Sequence, residues 1–149
     1  MIYRSKAPLR IGLAGGGTDV SPYSDQFGGA ILNATVSLFA YANIELMEEN
    51  KIIVEALDRK EQQQFEWSAE LPINGTLDLL KGVYNRIYKD YEFPKKGFRL
   101  STFVDAPAGS GLGTSSTLVV AIIGAFAEWL KLPLGDYDIA HYAYQIERN

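Results

Sequence analysis

The chain has 149 residues, is 47% hydrophobic and carries a formal net charge of −4, which suits one domain with its own core and argues against a nucleic-acid footprint. The absence of cysteine excludes disulfides and thiolate metal sites. Arg, Lys or Asp interrupts every apolar stretch before it reaches the length of a membrane span, and Arg4, Lys6 and Arg10 precede no signal-like apolar run, so a cytoplasmic protein that neither enters nor crosses a membrane is expected.

Residues 10–14 read as a short strand. Residues 31–47 are rich in β-formers and read as two extended pieces. A Glu-Glu-Asn-Lys turn follows at 48–51, and residues 52–57 return as a strand, predicting a hairpin. The polar stretch 58–75 ends in Asn74-Gly75 and reads mostly as loop, with a short strand at 65–67. Thr76 is expected to cap a helix through Asp90, with Leu77, Leu80, Tyr84, Ile87 and Tyr91 on one face. The Tyr84, Tyr88 and Tyr91 stripe reads as helix packing. Residues 94–97 form a turn, 98–104 alternate as a strand, and an apolar helix is expected from about 115 to 130. After a turn at 133–136, Asp136 or Asp138 caps a last helix with Ile139, Tyr142, Ala143 and Ile146 on its apolar side.

Between the 98–104 strand and the apolar helix lies Asp-Ala-Pro-Ala-Gly-Ser-Gly-Leu-Gly-Thr-Ser-Ser-Thr, residues 105–117. Strand, glycine loop and helix make an anion site. Glycines let the backbone approach an anion closely, and the first free N–H groups of the helix point at it. Hydroxyls at the helix start can bond phosphate oxygens or a phosphate-bound magnesium. A P-loop is excluded, because no lysine lies between Lys96 and Lys131. A dinucleotide fingerprint is excluded by Ser116 where its third Gly or Ala belongs. A glycine-rich turn that only caps a helix is the plainer alternative.

The pattern Pro107-x-x-x-Gly111-Leu112-Gly113-x-Ser115-Ser116 resembles the phosphate loop of the GHMP kinases. Residues 7–19, Ala-Pro-Leu-Arg-Ile-Gly-Leu-Ala-Gly-Gly-Gly-Thr-Asp, resemble the opening motif of galactokinase-like members at Ala7, Pro8, Arg10, Thr18 and Asp19. Leu9 stands in place of that motif's Gly, and Gly16-Gly17 in place of its Glu-His. This line is most similar to the subgroup acting on heptose 7-phosphate, as are residues 31–38 and 125–135.

The resemblance implies an α+β fold like the GHMP kinase N-terminal domain, a mixed sheet with helices packed on one face, over residues 1–149. It implies ATP as co-substrate, Mg2+, and a phosphorylated or free sugar as acceptor. The phosphate cradle would be Pro107, Gly109, Ser110, Gly111, Leu112, Gly113, Thr114, Ser115 and Ser116. Ser115 and Glu147 would hold magnesium, Arg10 would act on the transferred phosphate and acceptor hydroxyl, and Thr18 and Asp19 would bind the sugar. The implied reaction phosphorylates the anomeric hydroxyl of the heptose. A galactokinase-like or fucokinase-like activity, or a non-catalytic sugar or nucleotide sensor on this fold, is the alternative.

Without the resemblance, Glu147 reads as a solvated helix residue, Ser115 as an N-cap, Arg10 as a salt-bridge partner for Asp19, and Asp19 as a turn or helix cap. His141 reads as structural or solvated, and Trp67, Phe65 and Tyr41 read as core. The chain stops in what reads as mid-helix, before the catalytic Asp that the resemblance implies. It is therefore expected to be the N-terminal portion of a longer kinase whose C-terminal domain is absent here, and to be inactive alone.

Overall fold

A computed structural model describes residues 1–14, 26, 28, 32–106, 110 and 114–148. Five strands form one mixed sheet: β1 (Ile2–Ala14), β2 (Leu32–Met47), β3 (Lys51–Ala56), β4 (Glu61–Glu66) and β5 (Gly97–Val104), in the spatial order β1-β2-β5-β3-β4. Three helices accompany them: α1 (Asp78–Tyr91), α2 (Thr114–Leu130) and α3 (Asp136–Arg148). All neighbouring strands are antiparallel except β3 and β5, which run parallel. The β3–β4 hairpin and α1 together make the crossover that parallel pairing needs.

Strand alternation sorts the sheet into two faces. Ala7, Ala40, Ala42, Ile44, Ile52, Val54, Phe98 and Leu100 join the core together with α2, where Val119, Ala121, Ile122, Ile123, Ala125 and Phe126 are buried. Burial on nearly every side of α2 accounts for its almost unbroken apolar sequence. Its contact with β1 is close, since a Cβ built on Gly124 would sit 2.4 Å from Ser5 Oγ. Beside α2 stands an aromatic cluster of Tyr84, Tyr88, Phe93, Phe98, Phe126 and Trp129. Its ring centroids are 5.0 Å apart for Tyr88–Phe93, 5.3 Å for Phe93–Trp129 and 5.4 Å for Tyr84–Phe98. Tyr84 and Tyr88 are thus packing residues, as their spacing predicts, whereas Tyr91 is 36% exposed.

The sheet differs from the sequence expectations in four places. The hairpin expected between residues 31–47 and 52–57 does not form, because β5 inserts between β2 and β3 and pairs with both. β1 begins at Ile2 rather than residue 10. Its core-side residues include Ser5 and Ala7, too small or polar to mark a strand, and Pro8 is tolerated because β1 is an edge. Residues 32–47 form one strand instead of two pieces, and the interruption survives only as a shift of register. Pro8 pairs with Phe39, but Arg10 pairs with Thr35. Finally, β4 covers Glu61–Glu66, in a Glu-Gln-Gln-Gln-Phe-Glu sequence that carries little apolar signal because the strand lies at the other edge.

Helix α1 also starts differently. Thr76 is not its cap. The N-cap is Leu77, in the left-handed region at φ 56°, with no side-chain cap bond. Asp78, in the first turn, instead accepts the backbone N–H groups of Asn74 and Gly75. Leu77 is buried, so burying the side chain takes precedence over conventional capping.

Candidate nucleotide site

The strand and the helix expected on either side of the glycine segment are present as β5 and α2. Within the loop, Pro107, Gly109, Gly111, Leu112 and Gly113 lie outside the described residues, as do Thr18, Asp19 and Gly15 to Gly17 of the opening motif. Ser110 is an exposed bend residue, and Thr114, Ser115 and Ser116 form the first turn of α2. None of the residues of that turn is itself acidic, so the helix sets no carboxylate of its own against an anion at its positive dipole end.

The entry to the loop is fixed by Asp105. Its carboxylate accepts the backbone N–H of Phe39 at 2.9 Å and the Tyr41 hydroxyl at 3.4 Å, while its own N–H donates to the Phe39 carbonyl at 3.0 Å. The loop thus leaves the sheet from a point pinned to β2. The sequence reading missed this role. The clue available was an acidic residue directly between a strand and a glycine loop.

Glu147 is carried by α3 to the start of α2, where the Ser116 hydroxyl donates to Glu147 Oε2 at 3.0 Å. Ser115 is exposed and lines a groove of about 920 Å³ together with Glu147, Arg86, Lys89 and Asn85. The expected Ser115 and Glu147 therefore share one groove, and the direct bond comes from the neighbouring Ser116. A smaller cavity of about 270 Å³ opens at Thr114 and Ser115. Its walls include Gly75 and Leu77 before α1, Thr102 and Val104 of β5, and Leu118 of α2. Arg10 is half-buried on β1 directly after the register shift. It forms no ion pair among the described residues, and its expected pairing with Asp19 lies outside them. His141 is exposed, 3.2 Å from Gln145 Nε2.

Of the three aromatics expected in the core, Phe65 and Trp67 pack against it, whereas Tyr41 lies outside the core cluster and its hydroxyl donates to Asp105.

The placement of Glu147 depends on how α3 is held. Tyr142 is buried, and its hydroxyl donates to Asp90 Oδ2 at 2.7 Å. Arg86 Nε donates to the same oxygen at 2.8 Å, and Tyr91 meets the Tyr142 ring edge-on at 5.9 Å. Burial opposes ionisation of Asp90, but the hydrogen bonds from Tyr142 and Arg86 and the Arg86 charge outweigh it and hold the carboxyl below its ordinary range. Burial first, then the Asp90 carboxylate, raises the Tyr142 phenol, so it remains a proton donor at physiological pH. Because Asp90 is depressed in the folded protein, its contribution is complete above about pH 4 and is lost as pH falls through the folded value below that. Replacing Tyr142 by Phe should cost about 1 kcal/mol at pH 7 and flatten this acid-dependent loss. Urea titrations of both proteins at pH 7 and pH 3 check the difference.

The comparisons with known proteins agree with this architecture. The family model "GHMP kinases N terminal domain" matches residues 78–149. The chain carries a GHMP kinase N-terminal domain. It is 50% identical, over 97% of its length, to the D-glycero-alpha-D-manno-heptose 7-phosphate kinase of Campylobacter jejuni, and covers 43% of that protein. It superposes with a TM-score of 0.93 on a D-glycero-D-manno-heptose 1-phosphate kinase from Bacteroides thetaiotaomicron, at 56% identity, covering 100% of this chain and 48% of that one. Mevalonate kinase from Methanococcus jannaschii, 21% identical with a TM-score of 0.82 over 99% of this chain and 46% of that one, shares the fold. The GHMP kinase domain described here thus spans about half the length of the relatives it matches.

Proposed function

We propose that the protein containing this domain is an ATP- and magnesium-dependent kinase that phosphorylates the anomeric hydroxyl of a heptose phosphate. The observation that carries this reading is the meeting of Ser116 and Glu147 in the first turn of α2, in a chain so similar to two heptose phosphate kinases.

In this reading the glycine loop and the first N–H groups of α2 hold the nucleotide phosphates, with Ser110, Thr114, Ser115 and Ser116 adding hydroxyl contacts. The donor set suits magnesium. Ser115 Oγ and the Glu147 carboxylate are hard oxygen donors, and the Ser116 bond orients the carboxylate toward the helix start. Among the described residues no group of three or more His, Cys, Asp or Glu side chains could hold a metal by itself. That fits a cation bound mainly through nucleotide phosphates and water. When bound, magnesium would neutralise charge on the transferring phosphoryl group. Arg10 then stabilises negative charge near the acceptor oxygen, and Asp19 and Thr18 orient sugar hydroxyls. An Asp that orients the acceptor hydroxyl is assigned to a glycine-rich segment following α3, and the acceptor's remaining contacts to a second domain beyond it. The protein is assigned to the cytoplasm, where ATP is supplied. Among the described residues no helix is long and apolar enough to cross a membrane.

The relatives' names place the substrate phosphate at opposite ends of the sugar, position 7 in one and position 1 in the other. The complete protein should therefore be assayed with ATP and each heptose phosphate, alongside galactose and fucose. Turnover with heptose 7-phosphate that releases a 1,7-bisphosphate is the expected result. No ATP consumption with any sugar would overturn the kinase reading.

A further inference from the structure

Lys81 has no exposed side-chain surface, although lysine is among the residues least often fully buried. Its Nζ donates to Gln63 Oε1 of β4 at 2.8 Å and to Asn74 Oδ1 at 2.7 Å, and lies 3.5 Å from Asp78 Oδ1. The Phe65 ring centroid is 5.7 Å away. A buried ammonium needs such partners, since its desolvation is otherwise costly.

The partners of Lys81 also shape the turn before α1. The Asn74 oxygen that accepts from Lys81 also accepts the Thr76 N–H at 3.2 Å. Asp78 accepts the N–H of Asn74 at 3.1 Å and that of Gly75 at 2.9 Å. The turn so held is not a relaxed one: Gly75 sits at φ 92° and Leu77 at φ 56°. Gly75, Leu77 and Asp78 line the 270 Å³ cavity together with Thr114, Ser115 and Leu118.

We propose that Lys81 is a positioning residue for nucleotide binding. Its buried ammonium, acting through Asn74 and Asp78, sets the 74–77 turn as the wall against which the nucleoside end of ATP packs. This rests on the kinase reading above and on the nucleoside entering the cavity that opens beside the phosphate loop. Gln63 anchors the other side of the ammonium to β4, so the wall is referenced to the sheet as well as to the helix.

The test uses the full-length kinase and three variants. Lys81→Met removes the ammonium with little change in volume. Asn74→Ala cuts the link to the turn but leaves Lys81 with Gln63 and Asp78, so this exposed position keeps the question open if Lys81→Met fails to fold. Leu118→Trp fills the cavity directly. Asn74→Ala and any folded Lys81→Met should raise the KM for ATP about tenfold or more, the size of a lost hydrogen bond to a charged group. The KM for the sugar and kcat should shift by less than about twofold in both. A merely structural role would lower the melting temperature and the yield of active enzyme without this split. If Leu118→Trp raises the KM for ATP while folded Asn74→Ala keeps the wild-type value, the positioning role is wrong and the nucleotide placement stands. If Leu118→Trp leaves the KM for ATP unchanged, the nucleotide placement itself is wrong, and the role of Lys81 falls with it.

Discussion

Glu147→Gln in the complete enzyme should lower kcat/KM by about 10- to 100-fold, the usual cost of disturbing a metal ligand or its orienting partner, and should shift the magnesium requirement to higher concentration. The substitution keeps the shape of the side chain and its capacity to accept from Ser116 Oγ, now 3.0 Å away, but removes the charge. Glu147 is exposed, so stability should change by less than about 0.5 kcal/mol. Activity measured across a magnesium titration, with thermal melting of the same sample, separates the two effects. An unaltered magnesium curve would return Glu147 to the role of a solvated helix residue that bonds Ser116. Ser115→Ala should shift the same curve in the same direction, and its effect should also fall on turnover rather than on folding.

Gly97→Ala should destabilise the domain by about 3–5 kcal/mol, a large share of the 5–15 kcal/mol that holds a typical domain folded. Gly97 opens β5 opposite Met47. A Cβ there would stand 1.8 Å from the Glu49 carbonyl oxygen and 2.9 Å from that of Lys51. Both are backbone atoms, one in the turn between β2 and β3 and the other at the start of β3, so no side chain can swing away. Either the turn opens or β5 loses its place between β2 and β3. Gly82→Ala is the matching control. It lies within α1, and a Cβ there meets nothing within 4 Å, so replacing glycine in a helix should stabilise by about 0.5–1 kcal/mol. Denaturant titration of the two variants should give shifts of opposite sign, and a folded Gly97→Ala of unchanged stability would contradict the described packing of the turn.

The helices were largely legible because their apolar spacing is strong and each has one dominant environment. Leu80, Tyr84 and Ile87 are buried as their periodicity predicts, and α2 is apolar throughout because the sheet and its neighbours cover it. The edges of the sheet were not legible. Half of β1 presents Ser5 and Ala7 to the core, and β4 presents Gln63, whose value lies in reaching Lys81 rather than in burying carbon. The segment 105–117 stood out as a candidate phosphate cradle because glycines and hydroxyls in fixed order have few other uses. What holds that site in place was hidden, since it depends on pairs distant in the chain: Asp105 with Phe39, Tyr142 with Asp90, and Ser116 with Glu147. Hydrophobic period carries no information about such pairs. Lys81 shows the same limit from the other side, because a lysine on an amphipathic helix ordinarily marks the solvent face.

Helix α1 has a mechanical consequence. Its first turn carries Asp78, which holds the cavity wall, and its last turn carries Asp90, which holds α3 and through it Glu147. Twelve intervals at 1.5 Å each separate these two carboxylates along the axis, about 18 Å. The helix therefore acts as a strut of fixed length between the nucleoside end and the cation end of the proposed site. A strut of this kind transmits displacement without absorbing it. Pressing on the Asn74–Asp78 end would move Glu147 as well, so the two ends can shift together but cannot be tuned apart without bending α1. An added or deleted residue inside α1 would rotate one end about 100° relative to the other, at 3.6 residues per turn, and would uncouple them even where every contacting side chain was retained.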